Sequence, residues 1–343
     1  MMASIGAGPP TILNAGGPLL IALVTSLCCG PSVIRWLKSH CPERIASDSA
    51  RLNELHAGKK NTPTMGGLLM VLSILVAVVT CGHLESAFSR LALVTTLALT
   101  LVGSYDDWIK LKTSRKGLTA RGKLLAQSVI AVAAATVLHQ LAQADAVDAG
   151  PLFQRHYALL ESRWLYVPWA AFVIVGTSNA VNLTDGLDGL AAGCSFITTA
   201  ALMLILSCTG SQFLSEPRIQ EAVNLCAALA GAVLGFLRFN HHPARVFMGD
   251  AGSLPIGGLL AVIALACRME LILVIVGGVF VTETLSVIVQ VLWYRRTGRR
   301  VLLCSPLHNH FVFRGDRESR IVGGFWFMAV ICGVVGVMTC FIQ

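Results

Sequence analysis

The chain is short of charge. Lysine and arginine total 26 and the acids only 18 in 343 residues, 13% together, and aromatic residues supply 7%. A soluble globular domain carries roughly a quarter of its residues charged, so a chain with 55% hydrophobic residues and so little charge is excluded from that class. No basic residue precedes Arg35, so the charged start of a cleavable secretory leader is missing. The eleven cysteines have no CxxC spacing, which argues against a thiolate zinc centre, and most sit inside apolar runs where packing is their expected role. There is no low-complexity tract, no soluble segment and no internal repeat. Residues 1–343 read as a single integral membrane domain.

What the chain does have is long apolar runs. Crossing a hydrocarbon core of roughly 30 Å takes about 20 apolar residues in a helix. Ten such stretches are expected near 17–38, 66–83, 89–105, 123–142, 165–180, 188–208, 221–238, 254–267, 270–293 and 322–342. The eighth is short, and Gly257-Gly258 within it predicts a close helix contact. Residues 143–164 form the longest external loop. Of the 26 basic residues, only Arg90, Arg155, Arg163, Arg218 and Arg268 fall on one set of alternate loops, and the other 21 fall on the opposite side. The rich side is therefore expected to be cytoplasmic, with both termini outside. The formal charge of +8 is then concentrated on one face, where lipid headgroups or phosphorylated substrates are attracted.

The scarce acids gather on that same face. Asp106 and Asp107 stand side by side where the run from Leu91 to Ser104 ends; Asp185 and Asp188 lie in NLTDGLDG; Asp250 lies in FMGDAGS. Any one of them fits a helix cap. Five on one side, next to span ends, point instead to a shared site that needs a cation or a cationic partner. Phosphoryl transfer uses carboxylates in this way: one or two hold Mg²⁺ while basic side chains neutralise the remaining phosphate charge. Lys59, Lys60, Lys116, Arg121 and Lys123 are available for that second task. Gly186, Gly189, Gly249 and Gly252 allow close approach to a diphosphate, although glycine beside aspartate is also ordinary turn chemistry.

The last basic loop adds His308, Asn309 and His310 in SPLHNH. A histidine there can move protons or bind phosphate. The HxH spacing has no cysteine or third histidine nearby, so zinc is not expected. Glu283 lies inside the ninth span, where a charge costs roughly 2.5–3.5 kcal/mol on insertion scales. With Ser286 and Gln290 it makes a polar stripe expected to face the bundle interior.

Seven segments then carry a resemblance: KKNTPTMGG (Lys59 to Gly67), GSYDDWIK (Gly103 to Lys110), KGLTARGK (Lys116 to Lys123), NAVNLTDGLDGLAAG (Asn179 to Gly193), FNHHPARVFMGDAGSL (Phe239 to Leu254), ETLSVIVQ (Glu283 to Gln290) and SPLHNH. They run from near the first span to near the last. The chain resembles the bacterial phospho-N-acetylmuramoyl-pentapeptide-transferase family, within the polyprenyl-phosphate N-acetylhexosamine-1-phosphate transferase superfamily. The acidic pair and NxxDGxDG are superfamily features, whereas TPTMGG and ETLSVIxQ point to the muramoyl-pentapeptide branch.

The resemblance implies an all-α polytopic protein of about ten spans with both termini outside, in the bacterial cytoplasmic membrane, with its active site made by cytoplasmic loops. It implies UDP-N-acetylmuramoyl-pentapeptide and undecaprenyl phosphate as substrates, lipid I and UMP as products, and Mg²⁺ as cofactor. The lipid bilayer is the setting, a homodimer is suggested, and nucleic acid is not a partner. Asp106, Asp107, Asp250 and His308 would be catalytic, with Asp250 and Asp107 as metal ligands and Asp106 as a base or orienter for the lipid phosphate. Lys59, Asp188 and Phe247 would surround the uracil, with Phe247 stacked on its face. Thr64, Asn182, Asp185, Gly186, Asn240 and Gln290 would line the nucleoside and diphosphate cleft, and Lys116, Lys123, Asn309 and His310 would contact substrate.

One departure stands out. The family usually shows three consecutive histidines, and here the middle one is Asn309, which cannot titrate. Two other readings remain open. A sister enzyme would use UDP-N-acetylglucosamine with the same core. A transporter would place ionisable residues near the bilayer midplane and interrupt spans in matching halves, yet only Glu283 is deep.

Overall fold

Apolar runs in lipid must satisfy every backbone donor and acceptor internally, and this chain does so with helices. The structure, a computed structural model, describes residues 15–41, 62–81, 83–113, 117–144, 162–209 and 215–341. The helices are α1 (Gly16–His40), α2 (Gly67–Thr80), α3 (Ala87–Lys112), α4 (Ala120–Ala144), α5 (Arg163–Thr184) and α6 (Leu190–Thr209). After them come α7 (Glu216–Asn240), α8 (Asp250–Ala266), α9 (Glu270–Val276), α10 (Gly278–Thr297), α11 (Leu307–Arg314) and α12 (Glu318–Phe341). No β-strand occurs among the described residues. Seven of these helices are long and apolar enough to cross a membrane: α1, α3 to α7, and α12. The α9–α10 pair passes the same test as one span bent by 83°, and α2 and α8 are shorter apolar helices. The chain is an all-α polytopic membrane protein.

Each expected apolar stretch coincides with a helix or, for the ninth, with the bent pair. Three boundaries differ in ways that matter for the site. The third stretch does not stop at residue 105, because α3 continues to Lys112 and carries Asp106 and Asp107 on its last turns. Ser86 starts that helix, its Oγ accepting from the amides of Phe88 at 3.1 Å and Ser89 at 3.4 Å. The eighth helix begins four residues earlier than expected, at Asp250 itself. The SPLHNH segment is not an open loop: Leu307–Arg314 is helical and ends at Gly315, whose φ of 96° suits the left-handed residue that closes a helix.

Helix α8 is the axis of the bundle. Every residue from Asp250 to Leu265 is buried, and the helix packs against α2, α3, α4, α5, α6, α7 and α9. A helix enclosed by protein need not match the bilayer thickness, which accounts for an apolar length of only 17 residues. Glycine permits the enclosure. Gly257 lies on the backbone of Thr177 and Ser178 in α5, and Gly258 lies on Leu99 in α3, as the glycine pair predicted. At the α8 start, Gly67 of α2 and Gly252 meet backbone to backbone, and Gly103 of α3 abuts the Asp250 carbonyl. On the outside of the bundle, Val94, Leu101, Leu125, Phe172 and Phe327 present apolar surface, as lipid contact requires.

Gly257→Leu is expected to destabilise the protein by at least the roughly 1–3 kcal/mol typical of overpacking, because its side chain would overlap the α5 backbone. Gly176→Leu, which faces open space on α5, should leave stability unchanged or slightly raised. Thermal unfolding of the two variants in detergent checks the contrast.

Candidate active site

The acidic centre is assembled from two helix ends. Asp106 and Asp107 lie on the last turns of α3, and Asp250 opens α8; each is at most 8% exposed. Each offers an oxygen to a common point, with the three ligand atoms all within 4.8 Å of one another. Gly249 has φ +69° and lies against the Asp107 carboxylate and the Thr64 hydroxyl, so a side chain there would be strained and would fill this space. The turn before Asp250 is held by backbone bonds to the segment before α2: Phe247 N to Pro63 O at 2.8 Å, Gly66 N to Phe247 O at 2.8 Å and Gly67 N to Met248 O at 2.9 Å.

Three buried carboxylates repel one another unless cations and donors are present. Lys110, one helical turn beyond the acidic pair, reaches all three: 2.7 Å from Asp106, 3.0 Å from Asp250 and 3.4 Å from Asp107. Lys123 of α4 approaches Asp250 at 2.5 Å and the Asn182 carbonyl oxygen at 3.4 Å. Asn182 in turn donates through Nδ2 to Asp250 and to Ser253 Oγ, both at 2.8 Å. Backbone amides complete the set, Leu118 N donating to Asp106 at 2.7 Å and Ala251 N to Asp107 at 3.0 Å. Among the described residues, two ammonium groups face the three carboxylates. Oxygens already converging on the Lys110 ammonium are arranged as a cation requires, so Asp106, Asp107 and Asp250 could hold a metal ion.

Asp188 belongs to a second set. Its Oδ2 accepts from Ala244 N at 3.0 Å and lies 3.1 Å from His242 Nδ1, which is also 3.7 Å from Glu318. Glu318, at the start of α12, accepts from Asp188 N at 2.7 Å. Asn240 joins the same loop to the α7 end, accepting from Gly189 N at 3.0 Å and donating to Val246 O at 2.9 Å. These three chemistry-bearing residues, Asp188, His242 and Glu318, also have ligand atoms within 4.8 Å of one another. The five acids therefore divide: three form the centre, Asp188 anchors this second set, and Asp185 caps the C-terminus of α5.

The last basic segment forms a third set. His308 is 1% exposed, with Nδ1 3.1 Å from Glu283 and its ring edge against Gly186. Glu283 is fully buried on α10, so it does face the bundle interior. Gln290 is also buried, but its amide is engaged with the chain itself, accepting from Val301 N and Leu302 N and donating to Leu302 O. Asn309 is buried beside His308, and His310 Nδ1 accepts from Leu303 N at 3.1 Å. Phe247 is half-buried on the turn before Asp250, and Thr64 is buried, its hydroxyl and the Asp107 carboxylate both lying against Gly249. Lys59, Lys60 and Lys116 lie outside the described residues, and Arg121 is exposed on α4. A groove of about 500 Å³ runs beside α10, α11 and α12, with Thr282, Phe311, Phe325 and Met328 on its walls and Arg314 and Arg320 among its lining.

Three site residues escaped the reading of the sequence. Lys110 had a signal, since it stands three and four residues after the acids on one helix. His242 lay within the FNHHPARVFMGDAGSL segment but 54 residues from Asp188, and Glu318, 130 residues from it, had no signal.

The profile of Glycosyl transferase family 4 matches residues 89–268, a span that contains the acidic centre and Asp188. Among full-length relatives, the phospho-N-acetylmuramoyl-pentapeptide-transferase of Oleidesulfovibrio alaskensis is 40% identical over 327 residues, covering 92% of this chain and 90% of the relative. That of Maridesulfovibrio salexigens is 40% identical over 331 residues, covering 94% and 91%. That of Granulibacter bethesdensis is 41% identical over 339 residues, covering 95% and 92%.

Lys110→Gln removes the one group that touches all three carboxylates among the described residues. Its expected effect is a loss of about 3–5 kcal/mol of stability, the range for breaking a buried ion set, discounted toward the lower end because the Lys110 side chain is 39% exposed. The thermal midpoint of this variant should rise more with added divalent cation than that of the parent, which differential scanning fluorimetry measures.

Proposed function

The chain belongs to the phospho-N-acetylmuramoyl-pentapeptide-transferase family, and on that premise we propose how its site carries out the transfer. It is a phosphosugar transferase. The reaction moves phospho-N-acetylmuramoyl-pentapeptide from UDP-N-acetylmuramoyl-pentapeptide to undecaprenyl phosphate, giving lipid I and UMP. The observation that carries the assignment to this site is the convergence of Asp106, Asp107 and Asp250 on one point with Lys110 and Lys123 around it. That is the donor set that phosphoryl transfer at a membrane surface uses.

Asp250 and Asp107 would hold Mg²⁺, with Asp106 oriented toward the lipid phosphate by its bond from Leu118 N. Bound there, Mg²⁺ supplies Lewis-acid stabilisation of the diphosphate and of the UMP that leaves. The lipid phosphate is already anionic at neutral pH, so the protein's task is screening and alignment more than deprotonation. Lys110 and Lys123 provide the screening: each now sits on a carboxylate and can turn to a phosphate oxygen when substrate arrives. We favour direct attack of the lipid phosphate on the β-phosphorus over a covalent aspartyl intermediate. Phe247 and Asp188 would take the uracil together with Lys59, and Asn182, Asp185, Gly186 and Asn240 would line the path to the acidic centre, with Lys116 and Thr64 at its edge. The groove beside α10, with Phe311, Ile321, Phe325 and Met328 on its walls, would receive part of a polyprenyl chain.

Ten spans with both termini outside would put this centre at the cytoplasmic face of the inner membrane, where the nucleotide sugar is made available. The engagement of Gln290 by the Val301–Leu302 backbone supports a role in shaping the wall of the cleft.

Purified protein given undecaprenyl phosphate and each of two sugar nucleotides tests the substrate. UDP-N-acetylmuramoyl-pentapeptide should be consumed with release of UMP, and EDTA should stop the reaction. Turnover of UDP-N-acetylglucosamine in its place would transfer the assignment to the sister activity.

A further inference from the structure

An acid inside a membrane span calls for a partner, and Glu283 has spent both its oxygens on one residue. Oε1 accepts from the backbone N of His308 at 3.1 Å, and Oε2 lies 3.1 Å from His308 Nδ1. A carboxylate facing Nδ1 accepts, so the Nδ1 proton is placed between them, and the ring cannot turn without losing its bond to Oε2. Nε2 is then the ring atom left over. It is buried and has no hydrogen-bond partner among the described residues. It points at Gly186, where a Cβ would overlap the ring. Gly186 follows Asp185 on the turn that begins at Asn182, whose side chain holds Asp250. A buried polar atom without a partner is costly, and this one faces the Asn182–Gly186 turn that is proposed above to line the path to the acidic centre.

We propose that Glu283 is the positioning residue for His308: it fixes the tautomer with hydrogen on Nδ1 and presents Nε2 as an acceptor to a hydroxyl, or a protonated phosphate oxygen, of the bound substrate. The proposal rests on the transferase reading above. Its neighbours cannot replace it. Asn309 does not titrate, and His310 directs Nδ1 to the Leu303 amide. With a single ring in this role, the chain depends on the Glu283 clamp for which nitrogen carries the proton. Gly186 is part of the same device, since a side chain there would overlap the ring at Nε2.

The test is Glu283→Gln, a change of one atom. The carboxamide oxygen still accepts the His308 backbone amide, while its NH₂ group faces Nδ1 and drives the ring proton to Nε2. Turnover of the nucleotide sugar should fall roughly 10²–10⁴-fold, the range for a misplaced acid–base group, with KM little changed. In ¹⁵N-histidine spectra, the resonance that disappears in His308→Asn should report protonated Nδ1 in the parent and protonated Nε2 in Glu283→Gln. The double variant Glu283→Gln/His308→Asn should be no slower than His308→Asn alone, because the acid acts through the ring. Parent-like turnover in Glu283→Gln, an unchanged tautomer, or losses that multiply in the double variant would each overturn the proposal. Should Glu283→Gln not fold, Gly186→Ala crowds the same nitrogen from the cleft side, and its loss of turnover should likewise vanish in the His308→Asn background. If the parent protein makes no lipid-linked product, the transferase reading has failed, whereas the tautomer measurement still decides the role of Glu283.

Discussion

Everything in the candidate site depends on the ammonium of Lys110 lying among three carboxylates. Without it, Asp106, Asp107 and Asp250 would repel one another across a buried space. The contact joins α3 to the start of α8, and Lys123 brings in α4. The ion cluster is thus the clasp that closes this end of the bundle. A site that binds a cation and phosphates uses the same balance twice. Lysines compensate the acids here, and would be free to meet phosphate if a metal were held by the carboxylates.

The rest of the fold serves that clasp. Helix α8 is wholly enclosed, its glycines admit the backbones of its neighbours, and its first residue is Asp250. A buried axis fixes the position of its end more firmly than a lipid-facing helix would, because close-packed contacts on every side resist displacement. Around it stand two further sets of polar contacts: Asp188 with His242 and Glu318, and His308 with Glu283. Each links a loop to a helix distant in sequence. Together they seat the NLTDGLDG turn between the end of α5, the start of α12 and the α11 helix.

Much of this was legible in the residues. The apolar runs marked every span, because lipid forbids unpaired backbone and leaves the helix as the local solution. The close contact at Gly257-Gly258 and the inward face of Glu283 followed from small-residue packing and from the cost of intramembrane charge. The acidic pair with Asp250 was visible as scarce acids on one face. What local pattern could not show was partnership across the chain. Lys110 was within reach as a neighbour one turn along α3, once that helix was known to run past residue 105. His242 and Glu318 are joined to Asp188 only by the fold. Nor does alternation of loops distinguish a straight ninth span from one bent by 83° at Gly277.

Asp107 and Asp250 are proposed to organise a cation and two phosphates, so that the acids and not merely the fold would carry the reaction. Release of UMP from UDP-N-acetylmuramoyl-pentapeptide by Asp107→Asn and by Asp250→Asn, with and without Mg²⁺, measures it most directly. Both substitutions keep shape and remove one charge. The account predicts that the folded variants release UMP at least about a hundredfold more slowly than the parent in Mg²⁺, and that added Mg²⁺ gives them little. Parent-like release by either folded variant would contradict it.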